Sequence, residues 1–160
     1  MDDSDPFDAG EAFLQGFENL LKDQYAGDTK LEFDENSECV LTIDDRFAVF
    51  LYLNTDISAI IITLPIAPLP EDESIERVMT ELLCGNYAWT LTEGGTLGID
   101  RETSLITLNF LVPLPLDPPD IAEDILVKLL NAADFWDRKI KDLTTTETPT
   151  EEINQAFLKA

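Results

Sequence analysis

Carboxylates are the most abundant groups in this chain that could do chemistry: 33 Asp and Glu stand against ten Lys and Arg, for a net charge of -23. "DEN" at 34–36 and "PEDE" at 70–73 cluster acids closely enough to bind Ca²⁺ weakly, yet neither has the loop spacing of an EF-hand. "ETSLI" at 102–106 and the "TEE" runs read as turn and cap chemistry. There is no His, which removes the commonest general base, nucleophile activator and metal ligand. Cys39 and Cys84 have neither C-x-x-C spacing nor a His partner, and both sit inside apolar patterns, so they read as buried thiols. "EGGTLG" at 93–98 lies between two strand-like runs, whereas a phosphate cradle needs a helix N-terminus there. It reads as a turn with positive φ. The chain is therefore expected to be no enzyme, with no catalytic residue, no metal and no cofactor.

Without catalytic chemistry, charge and packing must carry the function. An acidic surface of this strength repels nucleic acid backbones and anionic membranes and favours basic or amphipathic polypeptides. A nucleic-acid mimic that blocks a basic protein would also be acidic, so charge alone leaves both readings open. The start, "MDDSDPFD", is acidic where a secretory signal needs a basic region. The most apolar stretch, "AIIITLPIAPLP", is broken by Pro65, Pro68 and Pro70 well short of the ~20 residues of a membrane span. A cytoplasmic protein is expected. With 160 residues, 44% of them hydrophobic, the chain suits one domain with one core.

Residues 1–8 read as a disordered acidic head, 9–143 as the domain and 144–160 as a flexible tail. Asp8 and Glu11 resemble a capping box. Phe13, Phe17, Leu20, Leu21 and Tyr25 then recur at helical spacing, and Gly27 and Asp28 end the helix. In "CVLTI" Cys39, Leu41 and Ile43 share a face opposite Val40 and Thr42. After the turn at Asp44-Asp45-Arg46, Phe47, Val49, Leu51 and Leu53 oppose Ala48, Phe50 and Tyr52. "SAIIITL" is a third strand with apolar groups on both faces. Clean alternation of apolar and polar is missing, so either both faces are covered or one waits for a partner.

A second helix opens after Pro70 with Glu71, Asp72 and Glu73 at its positive end. Its stripe is Ile75, Val78, Met79, Leu82 and Leu83, and Gly85 is its stop. "NYAWTLTEGGTLGID" reads as a hairpin, and "SLITLNFLV" pairs onto it with Ile106, Leu108 and Phe110 on one face. Pro113, Pro115, Pro118 and Pro119 stiffen the next bend, and Asp117 caps a helix starting at Pro118. That helix carries Ile121, Ile125, Leu129, Ala132, Trp136, Ile140 and Leu143, widened by Leu126, Leu130 and Ala133. The order is helix, three strands, helix, three strands, helix: an α+β domain with helices packed on a twisted, mainly antiparallel sheet.

Three blocks, "LTIDDRFAVFLYLN", "ELLCGNYAWTLTEGGTLGIDRETSLITLNFLVPL" and "ILVKLLNAADFWDRKI", resemble the signatures of class I type III secretion chaperones of the Tir-chaperone type. The family pattern is a helix ending in Leu-Leu-x-x-Asn, a strand, then Gly-Gly before Thr-Leu-x-Leu-Asp. It falls here on Leu82, Leu83, Asn86, Gly94, Gly95, Thr96, Leu97, Ile99 and Asp100. The aromatic-Trp-Arg ending of the last helix falls on Phe135, Trp136 and Arg138, and the resemblance spans about residues 11–143. It implies a homodimer in a Gram-negative cytoplasm that holds the N-terminal part of a secreted effector extended, uses no ATP, and yields its client to the secretion-apparatus ATPase. It also implies a dimer interface through Ile75, Val78, Met79, Leu82, Leu83, Tyr87 and Trp89; the alternative puts Tyr87 and Trp89 in the core of one subunit. The effector site is expected at Phe13 and Phe17, at the sheet face with Val40, Ala48, Phe50 and Tyr52, and at a strand edge near Leu31 and Phe33. Neither nucleic acid nor membrane is an expected partner.

Overall fold

The computed structural model of the chain describes residues 5–25, 30–116 and 121–145. Helix α1 (Pro6–Tyr25) is followed by β1 (Glu38–Ile43), β2 (Phe47–Asn54), β3 (Ala59–Pro68), α2 (Ile75–Gly85), β4 (Thr96–Asp100), β5 (Leu105–Pro113) and α3 (Ile121–Thr145). The α+β class holds, but the described residues form five strands in the order β1-β2-β3-β5-β4, not six. Every neighbouring pair is antiparallel. Gly27, Asp28, Asp117, Pro118 and the tail from residue 146 lie outside the described residues.

Helix α1 starts ahead of the expected Asp8 cap. Asp5 takes that role, its Oδ1 accepting the Phe7 N–H at 3.0 Å, and Pro6 fills the first helical position, where its missing N–H costs nothing. Leu14, Phe13 and Phe17 are its deepest side chains.

The strands alternate as the pattern requires. Cys39, Leu41, Ile43, Phe47, Val49, Leu51, Leu53, Ile60, Ile62, Leu64, Ile106, Leu108 and Phe110 all face inward and are buried. Helices α1 and α3 pack on that inner face and on each other. Helix α3 turns Ala122, Leu126, Leu129, Ala133, Trp136 and Ile140 into the core, a stripe rotated slightly from the one starting at Ile121. Among the described residues no layer lies over the outer face, and α1 and α3 pack on the inner one.

The expected first strand of the Tyr87–Ile99 hairpin is absent. Tyr87–Trp89 is a single 3₁₀ turn, with Ala88 at φ 57 and Trp89 at φ 54, followed by turns to Gly95. Side chains hold this irregular path. Asn86 pairs with the Leu97 backbone in both directions, accepting its N–H at 2.8 Å and donating to its carbonyl at 3.1 Å. The Thr92 hydroxyl, fully buried, donates to the Gly95 carbonyl at 2.6 Å. Trp136 Nε1 donates to the Leu91 carbonyl at 2.9 Å. Gly94 has the positive φ expected of the turn, 95°.

Gly85 does not act as a left-handed stop, since Asn86 after it continues at φ -73. Its role is proximity: a Cβ there would stand 2.1 Å from Trp136 Cζ2. Helix α2 thus presses its last turn flat against the buried indole.

Candidate functional site

The clustered acids turn out to be local backbone chemistry. Asp34 Oδ1 accepts the N–H groups of Asn36 at 2.8 Å and Glu38 at 2.9 Å. Asp72 Oδ1 takes the Ser74 N–H at 2.9 Å and its hydroxyl at 2.5 Å. These bonds hold both carboxyls below the usual carboxylate range. Among the described residues no three Cys, Asp or Glu side chains converge as a metal site would. Cys39 is buried, which pushes its thiol up, whereas Cys84 is exposed on α2, contrary to expectation.

Two apolar surfaces remain bare. The first is the outer face of the sheet. Cross-strand pairing sets Glu38, Tyr52, Ile61 and Leu111 in one row and Val40, Phe50, Thr63 and Asn109 in the next. Val40 is 56% exposed and Leu111 62%, with Phe50 and Tyr52 a little above 40%; Ala48 is half-buried. In the middle, Thr63 Oγ1 donates to Asn109 Oδ1 at 3.0 Å and Asn109 Nδ2 donates to Thr107 Oγ1 at 3.0 Å. Two hollows flank Phe50. The smaller, about 210 Å³, lies towards β1 among Val40, Tyr52 and Ile61. The larger, about 530 Å³, lies towards β4 among Pro65, Gly98, Asp100, Leu105 and Thr107.

The sheet's edges differ. The Ser37 carbonyl accepts the Leu53 N–H at 2.9 Å, so alternation turns the N–H and C=O groups of Val40 and Thr42 away from β2, towards open edge. Glu38 is closed off by Asp34, whose N–H it accepts at 2.8 Å. On the far edge the Asn86 amide already occupies Leu97. Among the described residues the β1 edge thus turns Val40 and Thr42 outward as a template for an added strand, whereas on β4 the Asn86 side chain interrupts the edge at Leu97.

The second bare surface is a ledge formed by α2 and the turn after it. The expected interface stripe splits here. Val78 and Leu82 point into the subunit's own core and are buried, while Ile75 and Met79 are each 38% exposed, Leu83 71%, Tyr87 84% and Trp89 58%. Leu91 extends the patch. The helix turns Val78 and Leu82 towards α3 and β4, against which it packs.

The expected effector residues on α1 are not available at the surface. Phe13 and Phe17 stack on each other, ring centroids 4.6 Å apart, inside the core. Leu31 is buried and Phe33 half-buried against α1. The Leu31 N–H donates to Glu18 Oε1 at 2.5 Å, a bond that holds the nearly buried Glu18 carboxyl below its usual range. Sequence reasoning missed Ile61, Leu111 and the hollows. Leu111 was within reach, being in step with Asn109 and Thr107 on the outward register of β5.

A second buried acid, Asp137, ties α3 to the β1–β2 turn through Arg46 and accepts from Lys141 at 2.9 Å. Burial pushes its carboxyl up, but Lys141 and Arg46 outweigh burial and hold it down. This is structural bracing rather than a reaction centre.

The described residues thus form a two-layer α+β subunit with an apolar outer sheet face and an open strand edge. Residues 20–137 match the model of the Tir chaperone protein (CesT) family, and the chain belongs to that family of type III secretion chaperones. Solved structures agree in fold. A chain of the ExsC–ExsE complex aligns with TM-score 0.67 at 21% identity, over 84% of this chain and 96% of that one. One from the HopA1–SchA chaperone–effector complex gives 0.59 at 21% identity, over 77% and 94%. The Yersinia pestis type III secretion chaperone SycH, in complex with a stable fragment of YscM2, gives 0.53 at 14% identity, over 76% and 97%. A comparison with the curated proteins gives no match. No helix among the described residues is long and apolar enough to cross a membrane.

Proposed function

We propose that this protein is a homodimeric cytoplasmic chaperone that holds the N-terminal region of a secreted effector in extended form until the secretion-apparatus ATPase takes it. The observation that carries the reading is the uncovered outer face, with Val40, Phe50, Tyr52 and Leu111 exposed and Ile61 half-buried among them, beside the free β1 edge. An extended client adds its backbone along Val40 and Thr42 and sets alternate side chains into the hollows beside Phe50. Such a client lacks a core of its own and takes its order from the chaperone. The centre of this face is uncharged, unlike the regularly spaced charges a nucleic-acid mimic would need. Because Phe13 and Phe17 are core residues, they support the face from behind.

The ledge supplies the dimer contact, through Ile75, Met79, Leu83, Tyr87 and Trp89. An obligate interface buries ~2,000 Å² or more in total and resembles a core. Val78 and Leu82 act beneath it, by holding α2 in place.

The test is affinity for an effector N-terminal fragment, with hydrogen exchange on the complex. Phe50→Ala with Tyr52→Ala is expected to weaken binding by about tenfold or more, since a few apolar anchors dominate such interfaces, while the melting temperature and dimer remain. Protection should spread along an extended client segment. Protection confined to a compact client domain, or unchanged affinity in the folded double variant, refutes the placement.

A further inference from the structure

The larger hollow contains a glycine that the backbone does not require. At Gly85 and Gly95 an added Cβ would collide, at 2.1 Å with Trp136 and at 2.5 Å with Phe110. At Gly98 it would meet only Asn109 Nδ2 at 3.4 Å and Thr107 Oγ1 at 3.5 Å, which is ordinary contact. Nor is Gly98 at positive φ. Glycine inside a strand weakens it, and where it is not needed for a turn or bulge it marks close approach of a ligand or another backbone. Without a side chain, Gly98 leaves its part of the hollow open; the hollow as a whole, between Phe50, Pro65 and Leu105, holds about 530 Å³.

The one charged side chain lining that hollow is Asp100. Its Oδ1 accepts the Glu102 N–H at 3.0 Å and its Oδ2 the Thr103 hydroxyl at 2.5 Å. The Thr103 bond, with help from Glu102, keeps the carboxyl below its usual range and so charged at neutral pH. An ionised carboxylate fixed at the edge of an otherwise uncharged, largely apolar cleft selects a cation over a neutral or acidic group. The chain's net charge of -23 favours the same sign of partner.

We propose that the Gly98 hollow is an anchor pocket for one large apolar side chain of the bound segment, and that Asp100 engages a Lys or Arg adjacent to that anchor. The proposal rests on the chaperone reading and adds the chemistry of the segment: extended, with a bulky apolar residue and a cation within two positions of it. The hollow towards β1, on the other side of Phe50, gives the same chain a second apolar foothold.

Random dodecapeptides displayed on phage, panned on the full-length protein, provide the probe, and fluorescence anisotropy of the enriched peptides provides the affinities. Enrichment of a large apolar residue beside Lys or Arg is expected. Gly98→Val should push two methyl groups into the pocket beside Asn109 and Thr107 without backbone strain and weaken those peptides by about tenfold or more, with Gly98→Ala, the smaller intrusion, falling between. Replacing the peptide's Lys or Arg by Gln should weaken binding to the wild type several-fold and leave binding to Asp100→Asn unchanged. Equal affinity for wild type and a folded Gly98→Val overturns the pocket, and an equal Gln effect on wild type and Asp100→Asn overturns the cation contact. If peptides bind, depend on Phe50 and Tyr52, and ignore Gly98, then segment binding on the sheet stands and the pocket falls. If no peptide is enriched on the wild type, both fall.

Discussion

The outer sheet face and the ledge after α2 both expose large apolar side chains, but they are built by opposite means. On the sheet, Val40, Phe50, Tyr52 and Leu111 stand on regular antiparallel strands, so their exposure involves no local distortion. On the ledge, Trp89 is itself left-handed, as is Ala88 before it, a conformation that costs non-glycine residues roughly 1–2 kcal/mol each. It persists because Asn86, Thr92 and the buried Trp136 pin the turn from within. A regular face with an open edge can accept many extended segments, since backbone bonds are indifferent to sequence. A strained, braced protrusion has one shape, which suits a self-complementary contact. On the proposed reading, clients accordingly sit on the sheet and the second copy on the ledge.

The largest effect should come from removing the brace. Gly85→Val forces its side chain into Trp136, and overpacking of this kind costs about 3 kcal/mol. For a chain of this size that lowers the melting temperature by roughly 6–12 °C. A melt like that of the wild type would mean that the indole does not support the ledge.

Next in size is the loss of self-association. Leu83→Glu with Tyr87→Glu places two charges on side chains that are exposed in the subunit, so the fold should survive while light scattering reports a monomer. Val78→Asp cannot make this distinction. It would bury an unpaired charge in the subunit's own core and unfold the chain. A folded dimer from the double variant would move the interface off the ledge and dissolve the contrast between the two surfaces.

The same contrast explains which parts of the molecule were legible in the sequence. Strands read themselves out: the period-2 alternation through Cys39–Ile43, Phe47–Leu53 and Ile106–Phe110 gave both their existence and their inward faces. The ledge did not, because Tyr87, Trp89 and Leu91 alternate like a strand while Ala88 and Trp89 curl left-handed. What overrides the pattern is tertiary: Asn86 reaches Leu97, and Trp136 reaches Leu91 from 45 positions away. For the same reason, Val78 and Leu82 could not be separated from Met79 and Leu83 by spacing alone, since all four fit one broad stripe. Phe13 and Phe17 were read as a site when their helical stripe meant core. The hollow at Gly98 depends on what is absent from a strand, and nothing in the local pattern tells such a glycine from one at a bulge.

The smallest effect concerns the bond between Glu18 and Leu31, on the flank of the sheet away from the ledge. Glu18 is nearly buried, and the Leu31 N–H holds its carboxyl below the usual value of 4.5 in the folded chain. A group with a depressed folded pKa contributes stability that is fully present above its unfolded pKa and is lost as pH falls through the folded one. Glu18→Gln should therefore be less stable than the wild type at neutral pH by about 1–2 kcal/mol, the range for a hydrogen bond to a charged group. The gap should begin to close as pH drops below ~4.5 and vanish once the folded chain's own Glu18 is protonated. Amide exchange gives the sharper reading. The Leu31 N–H should exchange faster in the variant, while the Leu97 N–H, held by Asn86 on the other edge, should keep its rate. Equal acceleration at both would show that the two flanks open as one unit, and the separation of a client-binding sheet from a braced ledge would lose its physical basis.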